Sequence, residues 1–259
     1  MFSKAKLRPE VTPKRVYALL KLVDYKNRLL TEEEIYKYIQ PNNIKTDSKE
    51  VSLVFKFCKD NNLVDIDFDN KVILKMDKEI LKDENSFRKF MTKLVYDDIS
   101  QNTFFLITEK ILSTNLELYD LSGFEKILLS LKLSQANKEN MLGWRFWAAY
   151  LGYGFILNGQ FIINPHLKLK DFIEEKLNNN FEREITIGVF IKSLVESCPE
   201  FRVAIKDRNI DTHLSIALTT LESLNIIKLI EVKDSEEKWI LNLNNISRDI
   251  THIEFLGGR

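Results

Sequence analysis

Cysteine is nearly absent from this chain: Cys58 and Cys198 are the only two, far apart in sequence. Each stands in an apolar, helical-looking context, which suits reduced core thiols rather than a disulfide framework or a thiolate metal site. Histidine is just as sparse. His166, His213 and His252 are scattered and share no metal-ligand spacing. Glycine and proline number 8 and 5, and no phosphate-cradling glycine loop, G-x-S-x-G elbow or H-E-x-x-H run occurs among them. The adjacent acids Asp97 and Asp98 read as a structural pair at a helix end. No apolar run is long enough to span a bilayer; the longest, near Phe146–Leu157, is broken by glycine. The N-terminal Met1–Lys6 lacks the apolar centre of a secretory signal. These absences lead to the expectation of a cytoplasmic, non-catalytic chain with no cofactor, no metal and no membrane partner.

Net charge is also missing, with 38 basic against 38 acidic side chains, so the chain is no generic polyanion binder. The distribution is uneven, however. Residues 1–28 hold Lys4, Lys6, Arg8, Lys14, Arg15, Lys21, Lys26 and Arg28 against Glu10 and Asp24. Such a segment can form a phosphate-binding face on a neutral protein, or a solvated helix face balanced by Glu32–Glu34.

What the chain does have is apolar periodicity; 44% of it is hydrophobic. Pro13 opens a helix behind a Thr12 cap, with Val16, Leu19, Leu20 and Val23 as its stripe. Thr31 and Glu34 form a capping box for a short helix whose apolar side is Ile35, Tyr38 and Ile39. Ser48 opens a third helix with Val51, Val54, Phe55 and Cys58 inward. Leu63–Phe68 and Lys71–Leu74 flank Asp69-Asn70 as a hairpin. Phe87–Ile99 and Thr103–Thr114 read as connector helices, and Phe124–Leu131 and Ala136–Leu151 as further helices. Tyr153–Leu157 and Gln160–Ile163 around Asn158-Gly159 give the clearest hairpin signal. Glu184–Glu196 reads as helical with a Thr186 cap, and Phe201–Lys206 as a short helix. Thr212–Asn225 reads as a longer helix capped by Asp211, with Leu214, Ala217, Leu218, Leu221 and Leu224 as its stripe. Ile226–Val232 and Lys238–Leu243 then flank a polar turn, Lys233–Glu237.

Three stretches therefore end alike, in an amphipathic helix, a small or polar breaker and a hairpin. The expectation is a mostly α (α+β) chain of tandem winged helix-turn-helix modules with β-hairpin wings. The divisions are 1–78 for an N-terminal winged helix, 79–118 for a helical connector, 119–178 for a middle winged-helix-like module and 179–259 for a C-terminal winged helix. In such a module the helix before the wing reads a DNA major groove. The candidate nucleic-acid-binding residues are Lys14, Arg15, Lys49, Ser52, Lys56, Lys59, Lys71 and Lys75, with double-stranded DNA as the ligand. The same residues also suit an ordinary solvated surface. In the last module Asn209, Thr212, His213, Ser215, Thr219 and Thr220 could contact DNA, but Asp234, Glu236 and Glu237 would repel phosphate. Trp144, Arg145, Trp147 and Tyr150 are candidate partner-binding residues for a larger protein complex or self-association; aromatics at this spacing equally suit a core. The alternative function is an interaction scaffold without direct DNA contact.

The stretch Trp144-Arg145-Phe146-Trp147-Ala148-Ala149-Tyr150-Leu151-Gly152-Tyr153-Gly154, followed by Asn158-Gly159 and Ile163-Asn164-Pro165, resembles the aromatic-helix-into-hairpin segment of DpdG-like proteins. It covers about a tenth of the chain, and its Asn-Pro stands where an Asp-Pro-Thr-like run would be expected. The resemblance implies a winged-helix accessory subunit of bacterial phage-defence islands linked to modified DNA, working beside a helicase or nuclease in antiviral defence. It implies no site residues.

Overall fold

The computed structural model describes residues 7–25, 30–41, 49–96, 102–113, 118–119, 137–178, 182–235, 237–243 and 246–257. Several sequence expectations lie outside that set: the Ser48 helix start, the 124–131 helix, the Asp97-Asp98 pair with the end of the 87–99 helix, Glu236, and the basic residues Lys4, Lys6, Lys26 and Arg28. The chain forms two compact units, one from 1–106 with 133–150, the other from 107–132 with 151–259. The boundary at 150/151 therefore falls inside the span expected as a middle module.

In the first unit, α1 (Pro13–Tyr25) begins behind Thr12, whose hydroxyl accepts from the Arg15 amide. The two-residue β1 (Leu30–Thr31) runs straight into α2 (Glu32–Ile39), and Thr31 and Glu34 form the expected reciprocal capping box. Next come α3 (Lys49–Asp60), β2 (Val64–Ile66) and β3 (Lys71–Leu74). A 3-10 turn (Lys78–Leu81) leads to α4 (Glu84–Val95), capped by Asp83. The α5 helix (Thr103–Leu112) starts in this unit and continues past the division at 106/107, and α6 (Lys138–Tyr150) belongs to the first unit. The core joins Val16, Leu19 and Leu20 of α1 to Val51, Val54, Phe55 and Cys58 of α3, with Phe87 and Met91 of α4 and Trp144 and Trp147 of α6. Residues 7–11 lie against α6. The Leu7 amide donates to Asn140 Oδ1 at 3.0 Å and Trp147 Nε1 donates to the Val11 carbonyl at 2.9 Å.

The second unit holds β4 (Leu118–Tyr119), β5 (Gly154–Leu157), β6 (Gln160–Ile163) and α7 (His166–Leu177). It continues with β7 (Glu184–Thr186), α8 (Ile187–Ser197), a 3-10 segment (Pro199–Ala204), β8 (Ile205–Lys206) and β9 (Asn209–Ile210). The last elements are α9 (Thr212–Ser223), β10 (Ile227–Ile230), β11 (Trp239–Leu243), β12 (Ile246–Ile250) and β13 (His252–Phe255). The Tyr153 hydroxyl donates to Glu200, which is fully buried, and Lys168 lies over the Tyr153 ring with its ammonium 5.6 Å from the centroid.

The chain is mostly helical with small, largely antiparallel sheets. Three of these sheets share one strand order: β1-β3-β2, β4-β6-β5 and β7-β13-β10. In each, a short strand that follows a helix (α1, α5 or α7) pairs with the last strand of a later antiparallel pair. The fourth sheet is β12-β11-β9-β8.

Several sequence expectations are corrected. The short strands β1, β4 and β7 had no signal of their own, and α7 was not foreseen. Glu184–Thr186 is a strand, with helix only after Thr186, because its backbone pairs with β13. The short helix expected over Phe201–Lys206 is a 3-10 helix that starts earlier, at Pro199, and ends at Ala204, with Ile205–Lys206 forming β8. The first hairpin turns over four residues, 67–70. The Asp67 carboxylate accepts from the Asp69 and Lys71 amides, and Asn70 has a φ of 57°. Tyr38, Ile39 and Leu224 are exposed rather than core. The largest change concerns the last hairpin: β10 does not pair with β11. It pairs with β13, while β11 and β12 pair with each other and form an inserted hairpin. Among the described residues, no helix is long and apolar enough to cross a membrane.

Candidate nucleic-acid interface

The helix α3 presents its expected basic residues together. At about 100° per residue, Lys49, Ser52, Lys56 and Lys59 fall within an arc of roughly 80°. Val51, Val54, Phe55 and Cys58 face the core on the other side. From Lys49 to Lys59 this strip runs about 15 Å along the axis. Arg15 reaches Glu50 at 3.2 Å, so the start of α1, with exposed Lys14 and Arg15, lies beside the start of α3. At the far end the Lys75 amide donates to the Leu63 carbonyl at 3.0 Å, which brings β3's exit beside the end of α3. Buried Cys58 belongs to the opposite face, where desolvation pushes its thiol well above the ordinary range.

Part of this charge is neutralised internally. Lys56 pairs with Asp60 at 2.9 Å, Arg15 with Glu50, and Lys71 with the capping carboxylate of Glu34 at 3.8 Å. The Ser52 hydroxyl donates to the Lys49 carbonyl, which lessens its value as a reader. Among the described residues, Lys14, Lys59 and Lys75 make no ion pair. The β2–β3 flap is less basic than its two lysines imply, since Asp65, Asp67 and Asp69 lie along it. Its tip carries Phe68, a fully exposed aromatic. Sequence reasoning missed Phe68; an aromatic between two turn aspartates was the available signal.

The corresponding helix of the last sheet, α9, is covered. His213 and Ser215 are buried. The Ser215 hydroxyl donates to the Ile210 carbonyl at 3.1 Å and accepts from the Asn242 amide of β11 at 3.0 Å. The Thr220 hydroxyl accepts from Asn164 and donates to Ile216, and Thr219 donates to the carbonyls of Ser215 and Ile216. These groups, weighed from the sequence as DNA readers, are occupied within the fold. In the acidic turn that follows, Asp234 and Glu237 are exposed. The Glu237 carboxylate packs where a side chain on Gly188 would sit, its oxygen 2.1 Å from the ideal Cβ position. That places an anion at the first turn of α8, where the helix dipole favours it.

The candidate partner-binding aromatics are redistributed as well. Trp144 and Trp147 are 1% exposed, so they are core, not a partner-facing surface. Trp144 stacks on Phe104, Trp147 packs on Phe57 with ring centroids 5.4 Å apart, and the half-buried Tyr150 donates its hydroxyl to the Glu84 carbonyl. Burial raises the Tyr150 phenol above its ordinary range. The Arg145 guanidinium lies over the neighbouring Phe146 ring, 4.7 Å from its centroid, and burial lowers its pKa. An aromatic stripe at helical spacing seats itself wherever apolar surface is largest, and here that is the first unit's own core.

The described residues include no group of three or more His, Cys, Asp or Glu side chains placed to hold a metal ion. No curated protein and no solved structure matches this chain. A family model described as DpdG-like does match, over residues 7–235. With almost its entire length inside that match, the chain belongs to the DpdG-like family.

Proposed function

We propose that this chain is a non-catalytic subunit of a Dpd-type DNA-modification and defence system, and that it contacts duplex DNA through its first helix-and-hairpin repeat. The family assignment supports involvement in such a system. The threefold recurrence of one strand order carries the structural part. A helix, a short strand, further helices and a hairpin whose last strand pairs with the short strand is the order of a winged helix. In that fold the helix before the hairpin enters the major groove, about 12 Å wide. In the first repeat that helix is α3, and its outward face carries Lys49, Ser52, Lys56 and Lys59.

Lysines without base-reading partners grip phosphate rather than sequence. The expected behaviour is weakly specific binding that falls steeply with salt. The test is fluorescence anisotropy of the full chain with a labelled duplex between about 50 and 200 mM salt. Lys49→Gln combined with Lys59→Gln should weaken binding about tenfold or more. It should also flatten the slope of log affinity against log salt by roughly one for each phosphate no longer gripped. No binding at low salt, or a double variant that binds as the parent does, would overturn the DNA reading.

One observation favours a scaffold role for the last repeat. The α9 helix is covered by β11, and its hydroxyls are used internally. Under this reading, the last repeat docks proteins while the first holds the nucleic acid.

A further inference from the structure

The strand β5 is the outer strand of the β4-β6-β5 sheet, and its outer side is apolar. Phe155, Ile156 and Leu157 are 41%, 36% and 53% exposed. Exposed edge strands are normally protected by lysine, proline or a bulge. Here the whole stretch from Leu151 to Pro165 contains no charged residue, in a chain that is 29% charged. The turn Asn158-Gly159, with φ of 50° and 80°, is a tight two-residue turn, so Leu157 and Gln160 are a hydrogen-bonded pair. Antiparallel alternation then turns the backbone of Leu157, Phe155 and Tyr153 toward β6. The Asn164 amide bonded to the Tyr153 carbonyl at 3.2 Å agrees with this phase. The backbone groups of Gly154 and Ile156 face the other side, where no strand pairs among the described residues.

That phase is self-complementary. If an identical strand approaches antiparallel about a two-fold axis through Phe155, Gly154 of one copy lies opposite Ile156 of the other, and the reverse. Every outward N–H and C=O on these residues then meets its complement. The two Phe155 side chains meet at the intervening non-hydrogen-bonded position, where cross-strand side chains are closest. No like charges oppose each other across the axis. A second copy of this chain is thus the partner that the edge fits, and we propose that two copies associate through β5 to make one six-stranded sheet. The edge is short and falls below the roughly 800 Å² per partner of standard stable interfaces. The association is therefore concentration-dependent. It does not rest on the nucleic-acid reading.

Sedimentation velocity of the full chain from low to high micromolar concentration tests this. A monomer–dimer equilibrium is expected, with Ile156→Lys raising the dissociation constant at least tenfold while leaving the circular dichroism spectrum and thermal midpoint near those of the parent. Phe155→Cys supplies a register test that does not depend on Ile156. Under a mild added oxidant it should form a covalent dimer, while Leu157→Cys should not, because residue 157 lies opposite 153 of the other copy. Cys58 and Cys198 are buried and stay out of the reaction. A chain that stays monomeric throughout would overturn the proposal. So would a dimer that survives Ile156→Lys, or a Phe155→Cys chain that cross-links no faster than Leu157→Cys. If the edge serves a different protein's strand or DNA instead, the isolated chain gives the first of these results.

Discussion

Gly143 has no room for even one methyl group: a Cβ there would lie 2.1 Å from the Leu7 carbonyl oxygen. The neighbouring Asn140 and Trp147 hold residues 7–11 against α6 by hydrogen bonds at 3.0 and 2.9 Å, so the backbone cannot retreat without losing both. Gly143→Ala should therefore destabilise the first unit by about 1–3 kcal/mol despite the better helix propensity of alanine. Urea unfolding followed by tryptophan fluorescence reads this directly. Asp211 behaves differently. It caps α9 by accepting from the Leu214 amide at 2.9 Å, yet burial pushes its carboxyl up to about 6, against an ordinary value of 3.8. The folded state thus holds this proton more tightly than the unfolded chain does. The stability it contributes is complete below about pH 4 and is lost as pH rises through 6. Asp211→Asn keeps a capping side chain and removes the titration. It should gain roughly 1–3 kcal/mol relative to the parent at pH 7, and the gain should vanish near pH 4, as measured by thermal melts across that range.

Each repeat must turn from its last helix into a strand within a few residues, and the same device recurs. Asn62, Gly152 and Asn225 have φ of 56°, 88° and 55°. After α3 the Leu63 amide reaches the Cys58 carbonyl and the Asn62 amide reaches that of Lys59. After α9 the Ile226 and Asn225 amides make the equivalent bonds to Leu221 and Glu222. This is the Schellman pattern, which calls for a left-handed residue at the turn. The side chain of Asn225 is exposed, so substitutions there report mainly on the backbone. Asn225→Val should cost about 1–2 kcal/mol, while Asn225→Gly should be close to neutral; chemical denaturation of the pair separates strain from packing. The breakers at these positions were legible in the sequence, as were the caps at Thr31, Thr186 and Asp211. Such features depend on atoms within a few residues of one another. The strands β1, β4 and β7 were not legible. Two or three residues carry no periodicity, and they become strands only because β3, β6 and β13 lie alongside.

The chain as a whole repeats one order of elements three times without repeating its surface. The first repeat leaves a basic helix face outward, whereas in the last the inserted β11–β12 hairpin lies over α9. There Arg248 of β12 pairs with Glu222 and donates to the Leu229 carbonyl at 3.0 Å. Local reading joined β10 to β11 because they are adjacent apolar runs around a polar turn. The actual partner, β13, lies over twenty residues further on, and the choice between them rests on which pairing buries Ile227, Leu229, Ile253 and Phe255 together. Sequence by itself determined most of the described helices, the caps at Thr31, Thr186 and Asp211, two of the hairpins and the shared helix-to-strand ending, since each follows from short-range hydrogen bonding and apolar spacing. Only the tertiary structure decided which strands pair across long separations, which aromatics enter the core and which polar helix face stays uncovered. Those outcomes follow from the total apolar surface removed from water by distant segments packing together, and no single window of the chain contains that sum.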